Sequence, residues 1–209
     1  MKEKIFTFEN FKTNHKSKPK MKLYICRHGE TEENVKNIAQ GHLNGTLTEN
    51  GKEQARKLAL RLRNEKFDAI YSSPLARAAD TAKIIAEFHK ETSFVLDDNL
   101  KECDLGPLTG KHQSTFDYSN MPEGVEKRGS MLKRAKTIID KVYSEYPEGQ
   151  VIFVAHNGIL MALITVILNK DESFFRDMQS QKNVALNIFD IFEDGNHVIH
   201  LLNDDSHLG

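Results

Sequence analysis

Two residue types that often define the class of a protein are scarce in this sequence. Tryptophan is absent, and there are only two cysteines, Cys26 and Cys103. Two cysteines cannot form the disulfide framework on which many small secreted domains depend, so a reducing compartment, the cytoplasm, is predicted. No Cys-x-x-Cys motif occurs, and no pair of histidines at helical spacing resembles a zinc site, so no metal is predicted.

Long apolar runs and a large net charge are missing as well. No stretch approaches the ~20 apolar residues that a transmembrane helix needs. The net charge is only −1 for 209 residues, so neither a membrane nor a nucleic acid is predicted as a partner. With 39% apolar and 28% charged residues, the chain has the composition of a globular protein. Its length suits one compact domain with a sizeable core.

The first twenty residues differ in charge from the rest. They contain six lysines and two glutamates and so carry +4, which leaves −5 for residues 21–209. We interpret residues 1–20 as a loosely ordered basic extension and residues 21–209 as the catalytic domain. The alternative is an arm whose aromatic residues, Phe6, Phe8 and Phe11, dock on the domain or on a partner. Met21 begins the first clear strand, so an alternative start there is also open.

Apolar segments alternate with helical periodicities along residues 21–209. Thr48 is predicted to cap one helix and Ser73 another, with Pro74 in the first turn of the second. The segment 99–124 contains three glycines and two prolines and is expected to be irregular. The predicted strands are 21–26, 67–71, 93–96, 150–155, 184–192 and 197–202, and the predicted helices are 49–64, 73–89, 126–146 and 158–168.

This alternation predicts the fold class. Strands that alternate with helices form a mostly parallel central sheet with helices on both faces, so we predict an α/β, three-layer sandwich. In such sheets, ligands bind beyond the carboxyl ends of the strands. The polar residues that directly follow each strand are therefore the candidates for a functional site.

Charged residues follow four successive strands. Arg27 and His28 follow the first strand, Arg77 lies one helical turn after the second, Glu102 follows the third, and His156 follows the fourth. Each of them alone has an ordinary explanation, such as a solvated surface charge or a hydrogen-bonded structural histidine. Their shared position at one edge of the sheet is much harder to explain in that way and predicts a cationic pocket with one carboxylate.

The residue types of this pocket indicate phosphoryl chemistry. Arginine guanidiniums bind phosphate oxygens with forked hydrogen bonds. A neutral imidazole can attack phosphorus and form a phosphohistidine, and a protonated His156 could help the arginines to hold the transition-state charge. Glu102 could give a proton to the leaving group and take one from water. The free N–H groups of the helix that opens at Asn157 and Gly158 would also favour an anion.

The chain resembles the histidine phosphatase superfamily, which includes phosphoglycerate mutases and many small phosphatases. Five sequence blocks carry the resemblance over about residues 21–192, and they occur in the family's order. They are Arg27-His28-Gly29-Glu30-Thr31 with Asn34, Gln40-Gly41 with Leu47-Thr48-Glu49, Ser72-Ser73-Pro74-Leu75-Ala76-Arg77, Leu100-Lys101-Glu102, and Val154-Ala155-His156.

The resemblance implies a role for each matching position. It makes His28 the nucleophile and Glu102 the acid and base, while Arg27, Arg77 and His156 bind phosphate. Asn34 is a weaker phosphate contact, and the further candidate contacts with the substrate are Gln40, Gly41, Asn157 and Asn183. No cofactor is implied. The chain departs from the family's usual pattern at Asn44-Gly45-Thr46, at Pro122–Glu126 and at Asn157-Gly158, which leaves the charged core intact.

The predicted function is a metal-independent phosphomonoesterase that acts on a small phosphorylated metabolite through a phosphohistidine. Two alternatives stay open: a mutase that transfers the phosphate, and a catalytically silent family member that only binds. Only about fifty residues separate Glu102 from His156, whereas mutases of the family usually carry a longer insertion there. The short connection favours hydrolysis.

Overall fold

The computed structural model describes residues 21–117 and 120–209, and for Arg176 and Asp177 it describes the backbone only. The predicted basic extension, residues 1–20, lies outside the described residues, so the division into extension and catalytic domain stays a prediction. The strands are β1 Met21–Arg27, β2 Ala69–Ser72, β3 Ser93–Leu96, β4 Gln150–Ala155, β5 Leu186–Ile191 and β6 Val198–Asp204. The helices are α1 Glu32–Val35, α2 Glu49–Leu62, α3 Ala76–Ala86, α4 Arg128–Glu145, α5 Asn157–Ile167 and α6 Phe174–Asp177.

The six strands form one sheet in the order β3-β2-β4-β1-β5-β6. The first four strands of this order are parallel, and β5 and β6 are antiparallel to their neighbours. The prediction of a mostly parallel sheet is therefore confirmed. Strands β1 and β4 lie at the centre, which explains why β4 is the most apolar strand: both of its faces are covered.

Alternate residues of β1 separate the two halves of the core. Leu23 and Ile25 pack on one face with the apolar residues of α4 and α5. Tyr24 and Cys26 point to the other face and pack with those of α2 and α3. Helices therefore cover both faces of the sheet, as the predicted three-layer sandwich requires.

The predicted start of α3 is wrong. Leu75, not Ser73, is the N-cap residue, and the helix begins at Ala76. The hydroxyl of Ser73 accepts a hydrogen bond from the Leu75 N–H (3.2 Å) and also bonds His156 (2.7 Å). It therefore bonds a residue at the end of β4 rather than an N–H group within α3. The predicted cap at Thr48 is confirmed, since its hydroxyl accepts the Gly51 N–H at 2.9 Å.

Candidate active site

The pairing of β1 with β4 brings the two candidate histidines together. Arg27, the last residue of β1, pairs with Ala155, the last residue of β4. The residues that follow the two strands are His28 and His156, and their ring centroids are 5.2 Å apart. The His28 N–H continues the ladder to the Ala155 carbonyl at 3.0 Å. The parallel register therefore fixes both rings at one edge of the sheet.

His28 presents a lone pair to its surroundings. Its Nδ1 lies 2.7 Å from the Gly29 carbonyl, which can only accept, so Nδ1 carries the proton. Nε2 then has the lone pair of the neutral ring, and it accepts the Nε–H of Arg77 at 3.2 Å. Burial, followed by the charges of Arg27 and Arg77, lowers the pKa of His28 well below its usual value. The ring is therefore a neutral imidazole, the form that a nucleophile needs.

Arg77 is held by backbone carbonyls. Its side chain is 1% exposed, and it donates to the carbonyls of Gly41 (3.0 Å), Leu43 and Asn44 (3.2 Å). Burial lowers the pKa of Arg77 to about 10, so it stays charged at neutral pH. The Gln40-Gly41 block, a candidate substrate contact, thus has a second task, because the carbonyl of Gly41 orients the guanidinium.

Arg27 is anchored through a loop that Asn157 holds. Arg27 donates from Nη1 to the Gln181 carbonyl at 2.7 Å. The Asn157 carboxamide oxygen accepts the N–H of Gln181 (2.7 Å) and the hydroxyl of Ser180 (3.0 Å). The structure therefore shows Asn157 supporting the anchor of Arg27. The buried Nε of Arg27 has no hydrogen-bond partner among the described residues.

His156 lies fully buried behind His28. Its Nε2 bonds the Ser73 hydroxyl at 2.7 Å, and its Nδ1 is a buried nitrogen without a partner in the described part of the chain. Burial and then the charge of Arg77 lower the pKa of His156 well below its usual value. This lowered pKa favours the neutral ring, and a protonated His156 that holds transition-state charge stays a prediction.

The carboxylate of Glu102 occupies the N-terminus of α5. It accepts the N–H groups of Cys103 (2.8 Å), Gly158 (3.1 Å) and Ile159 (3.3 Å). The expectation that these helical N–H groups are free to attract a substrate anion is therefore wrong, because the side chain of Glu102 already accepts them. A Cβ on Gly158 would lie 2.5 Å from Oε1 of Glu102, which explains the glycine at this position.

Three further predicted contacts support the loop after β1. The carboxamide oxygen of Asn34 accepts the Thr31 N–H (3.2 Å) and the amide of Asn183 (3.3 Å), and Asn183 also donates to the His28 carbonyl (3.0 Å). Gln40 is only 7% exposed and donates to the Thr31 hydroxyl at 2.9 Å. These contacts hold the segment that carries His28. Because they occupy the carboxamide oxygen of Asn34, a ligand would be bound by its amide nitrogen.

A cavity of about 1120 Å³ opens over these residues. Arg27, His28, Arg77 and Glu102 line its inner part. The rest of the lining, which we call the outer part, has an apolar wall and five charged side chains. Its members include Leu105, Phe116, Met121, Phe175, Glu123, Glu126, Lys127, Arg128 and Glu172. Five basic residues near Glu102 in the sequence are candidate contacts for a second anionic group: Lys101, Lys111, His112, Lys127 and Arg128. Of these five, Lys127 and Arg128 line the cavity.

The cysteines give no sign of reactivity. Cys26 is buried, and burial raises the pKa of its thiol. Cys103 is half-buried, and burial followed by the charge of Glu102 raises the pKa of its thiol to about 12. A thiol with a raised pKa holds its proton and reacts slowly, so neither residue is a candidate nucleophile.

Residues 21–117 and 120–209 contain neither a membrane-spanning helix nor a cluster of metal ligands. No helix in these ranges is long and apolar enough to cross a membrane. In the same ranges, no group of three or more histidine, cysteine, aspartate or glutamate side chains could hold a metal ion.

Comparison with known proteins identifies the class of protein that this fold and site define. The family model of the histidine phosphatase superfamily (branch 1) matches residues 23–205. The chain belongs to this superfamily.

Individual relatives agree with the family. The chain is 32% identical over 203 residues to phosphoserine phosphatase 1 of Hydrogenobacter thermophilus, covering 90% of this chain and 95% of the relative. It is 34% identical over 184 residues to a 2,3-bisphosphoglycerate-dependent phosphoglycerate mutase of Thermoplasma acidophilum, covering 82% and 88%. The solved structure of Bacillus stearothermophilus YhfR matches with a TM-score of 0.83 at 25% identity, covering 90% and 100%. The prediction of an enzyme of the phosphatase class is confirmed.

Proposed function

We propose that this enzyme is a metal-independent phosphomonoesterase that hydrolyses a small phosphorylated metabolite through a phosphohistidine on His28. The observation that carries the proposal is the state of the His28 ring. Its Nδ1–H is bound to the Gly29 carbonyl, so Nε2 has the lone pair and faces Arg77 at 3.2 Å. A neutral, oriented imidazole between two arginines is suited to attack an anionic phosphoryl group.

In the first step, Nε2 of His28 attacks phosphorus while the bond from phosphorus to the ester oxygen breaks. Protonated Glu102 gives its proton to the leaving oxygen, so an alcohol departs and the phosphoryl group stays on His28. Arg27, Arg77, His156 and, more weakly, Asn34 would bind the phosphoryl oxygens. Two buried nitrogens support this assignment, the Nε of Arg27 and the Nδ1 of His156, because each lacks a partner among the described residues.

In the second step, water attacks phosphorus and the bond to His28 breaks. Glu102, now a carboxylate, accepts the proton of the water, so inorganic phosphate leaves and both residues return to their starting forms. Because one carboxylate serves in both steps, Glu102 must lie beside the leaving oxygen first and beside the water afterwards. Its three backbone hydrogen bonds provide a fixed position for this.

The outer cavity supports a small, charged substrate. Lys127 and Arg128 could bind an anionic group, and Glu123 and Glu172 a cationic one. Phosphoserine carries both, and a phosphoserine phosphatase is among the relatives, so phosphoserine is the first substrate to test. 3-Phosphoglycerate, which lacks the amino group, is the matched comparison. The substrate class supported here is a phosphomonoester of a small amino acid or hydroxy acid.

The test measures both phosphate release and phosphate transfer. Purified enzyme with each substrate, in the presence of a chelator, should release inorganic phosphate in amounts that equal the alcohol formed. Phosphate that moves between positions of one substrate instead of being released would support the mutase alternative. If folded protein turns over neither these substrates nor an aryl phosphate between pH 5 and 8, both enzyme readings fail. The alternative of a catalytically silent family member that only binds would then be supported. Activity that needs an added divalent metal would contradict the metal-independent route.

A further inference from the structure

We propose that Arg134 and Glu126 are positioning residues that hold the backbone on both sides of Glu102 and so set the place of its carboxyl group. This inference rests on the proposed role of Glu102 as acid and base. Neither residue lies in a sequence block that matched the family; Glu126 lines the cavity, and Arg134 does not.

Arg134, in α4, uses all five of its N–H donors on this part of the chain. It forms a bidentate ion pair with Glu126, with Nε to Oε1 and Nη2 to Oε2 both at 2.8 Å. Its remaining N–H groups bind three backbone carbonyls, those of Asn99 (2.8 Å), Lys101 (2.6 Å) and Glu102 (3.1 Å). A planar guanidinium with five fixed donors can hold these acceptors in one arrangement, which an ammonium group cannot do.

Glu126 holds the other side of Glu102. Its Oε2 accepts the Asp104 N–H at 3.2 Å, and its own N–H donates to the Asp104 carbonyl at 2.7 Å. Residues 99–102 are thus bound to Arg134 and residue 104 to Glu126. The side chains of Arg134 and Glu126 are 17% and 14% exposed, so water competes little for these bonds.

The position of Glu102 depends on these bonds because Glu102 lies in no strand of the sheet. Among the described residues, the one other side chain against its carbonyl is that of His42, whose Nε2 lies 2.9 Å away and is exposed to solvent. Glu102 follows a short 3₁₀ turn, Asp98–Leu100, and precedes another, Gly106–Leu108. Its carboxylate reaches the N–H groups of α5 only if the backbone of residue 102 keeps its distance from that helix. A general acid must lie within hydrogen-bond reach of the leaving oxygen, so a small shift of this backbone lowers the rate.

The test separates positioning from a general contribution to stability. It compares kcat/KM for phenyl phosphate, a poor leaving group, with kcat/KM for 4-nitrophenyl phosphate, a good one. Both values report the steps up to departure of the alcohol, and only the poor leaving group needs a well-placed acid. For Arg134→Gln we expect a loss of roughly 10–100-fold with phenyl phosphate and less than about threefold with 4-nitrophenyl phosphate. Arg134→Lys should recover only part of the loss.

The matched control is Lys136→Gln, on the same helix, which breaks an exposed ion pair with Asp140. It should change neither value. If Arg134→Gln does not fold, Glu126→Gln is the second variant, since it keeps the shape of the side chain and weakens the pair. Combining either variant with Glu102→Gln should add almost nothing to the loss that Glu102→Gln causes alone, because both act through one carboxyl group.

Equal losses with both leaving groups, or losses that multiply in the combined variant, would overturn the positioning role. Two other results would mark failure of the proposed function itself. These are no turnover by the unmodified enzyme, and an equal loss of kcat/KM with both leaving groups for Glu102→Gln alone. Glu102 would then not be the acid, and the inference would fall with it.

Discussion

The two sides of the candidate site are built in different ways. His28, Arg27 and His156 lie at or directly after the ends of the central strands β1 and β4, and the carboxyl-end geometry of the sheet fixes them. Glu102 and much of the outer part of the cavity belong to residues 97–127, whose described residues form 3₁₀ turns and no strand of the sheet. We infer that the strand-borne side carries the reaction common to the family, and that the loop-borne side carries the leaving group and the choice of substrate.

This contrast predicts two patterns of loss. Changes on the strand-borne side should lower kcat/KM by the same factor for good and poor leaving groups, because they act on the phosphoryl group itself. Changes on the loop-borne side should depend on the leaving group. The variants below are ordered by the size of the effect that we expect.

His28→Ala removes the attacking nitrogen. We expect kcat to fall on the order of 10⁵-fold or more for every substrate, because removal of a nucleophile leaves only binding and electrostatic effects. His200→Ala is the control, since His200 lies on β6 and pairs with Asp190 at the surface. A His28→Ala variant with more than a few per cent of the normal activity would show that another group attacks phosphorus.

Glu102→Gln removes the proton while keeping the shape of the side chain. For phenyl phosphate, kcat/KM should fall roughly 10²–10⁴-fold, and for 4-nitrophenyl phosphate much less. The steady-state kcat should fall for both, since Glu102 also activates the water of the second step. Equal losses of kcat/KM on the two substrates would assign the acid to a different residue.

Arg77→Ala removes a guanidinium that contacts Nε2 of His28. If Arg77 holds transition-state charge, kcat/KM should fall on the order of 10²–10³-fold for both leaving groups alike. The control is Arg56→Ala, which lies on the exposed side of α2 and pairs with Glu53. A loss that depends on the leaving group would show that Arg77 acts on the leaving group rather than on the phosphoryl group.

Asn157→Ala tests the support of Arg27 by the Gln181 loop. Losing the two bonds to residues 180 and 181 should let the anchor of Arg27 move and lower kcat/KM about tenfold, again for both leaving groups. Affinity for inorganic phosphate, measured by competition, should fall in parallel. Unchanged phosphate affinity would indicate that Asn157 does not act through Arg27.

The buried histidines also predict a pH dependence of stability. The pKa values of His28 and His156 are lowered in the folded protein, so the unfolded chain binds protons near pH 6.5 that the folded protein does not. The free energy of unfolding should therefore reach its full value above about pH 7 and fall as the pH drops below about 6.5. Denaturant titrations of the unmodified protein and His156→Gln should show a shallower fall in the variant, whereas an equal slope would contradict the buried neutral state.

Most of the fold and the inner site could be predicted because the signals were local. Strand ends are visible as an apolar run that stops, and Arg27, His28 and His156 follow such ends directly. The N-cap of α3 was predicted wrongly because the Ser73 hydroxyl has a distant partner, His156, that no local pattern reveals. The short helices α1 and α6, of four residues each, carry too few apolar positions to show a period.

The supporting contacts could not be predicted for the same reason. Glu102 lies at the N-terminus of α5, 56 residues ahead of Gly158 in the chain, and Arg134 reaches back 35 residues to Asn99. Nothing in the local sequence distinguishes Arg134 from a solvated helix residue. A glycine in the first turn of a helix, Gly158, was the one available signal, because a helix rarely gains from glycine there unless another group approaches closely.

The claim at the centre of this account is that His28 carries the phosphoryl group. Rapid mixing of Glu102→Gln with 4-nitrophenyl phosphate tests it most directly, because departure of this alcohol needs little acid whereas the second step needs the missing base. We expect a burst of one 4-nitrophenol per enzyme molecule and a base-stable phosphoryl group on His28, located by mass spectrometry. No burst, or a phosphoryl group on another residue, would contradict the account.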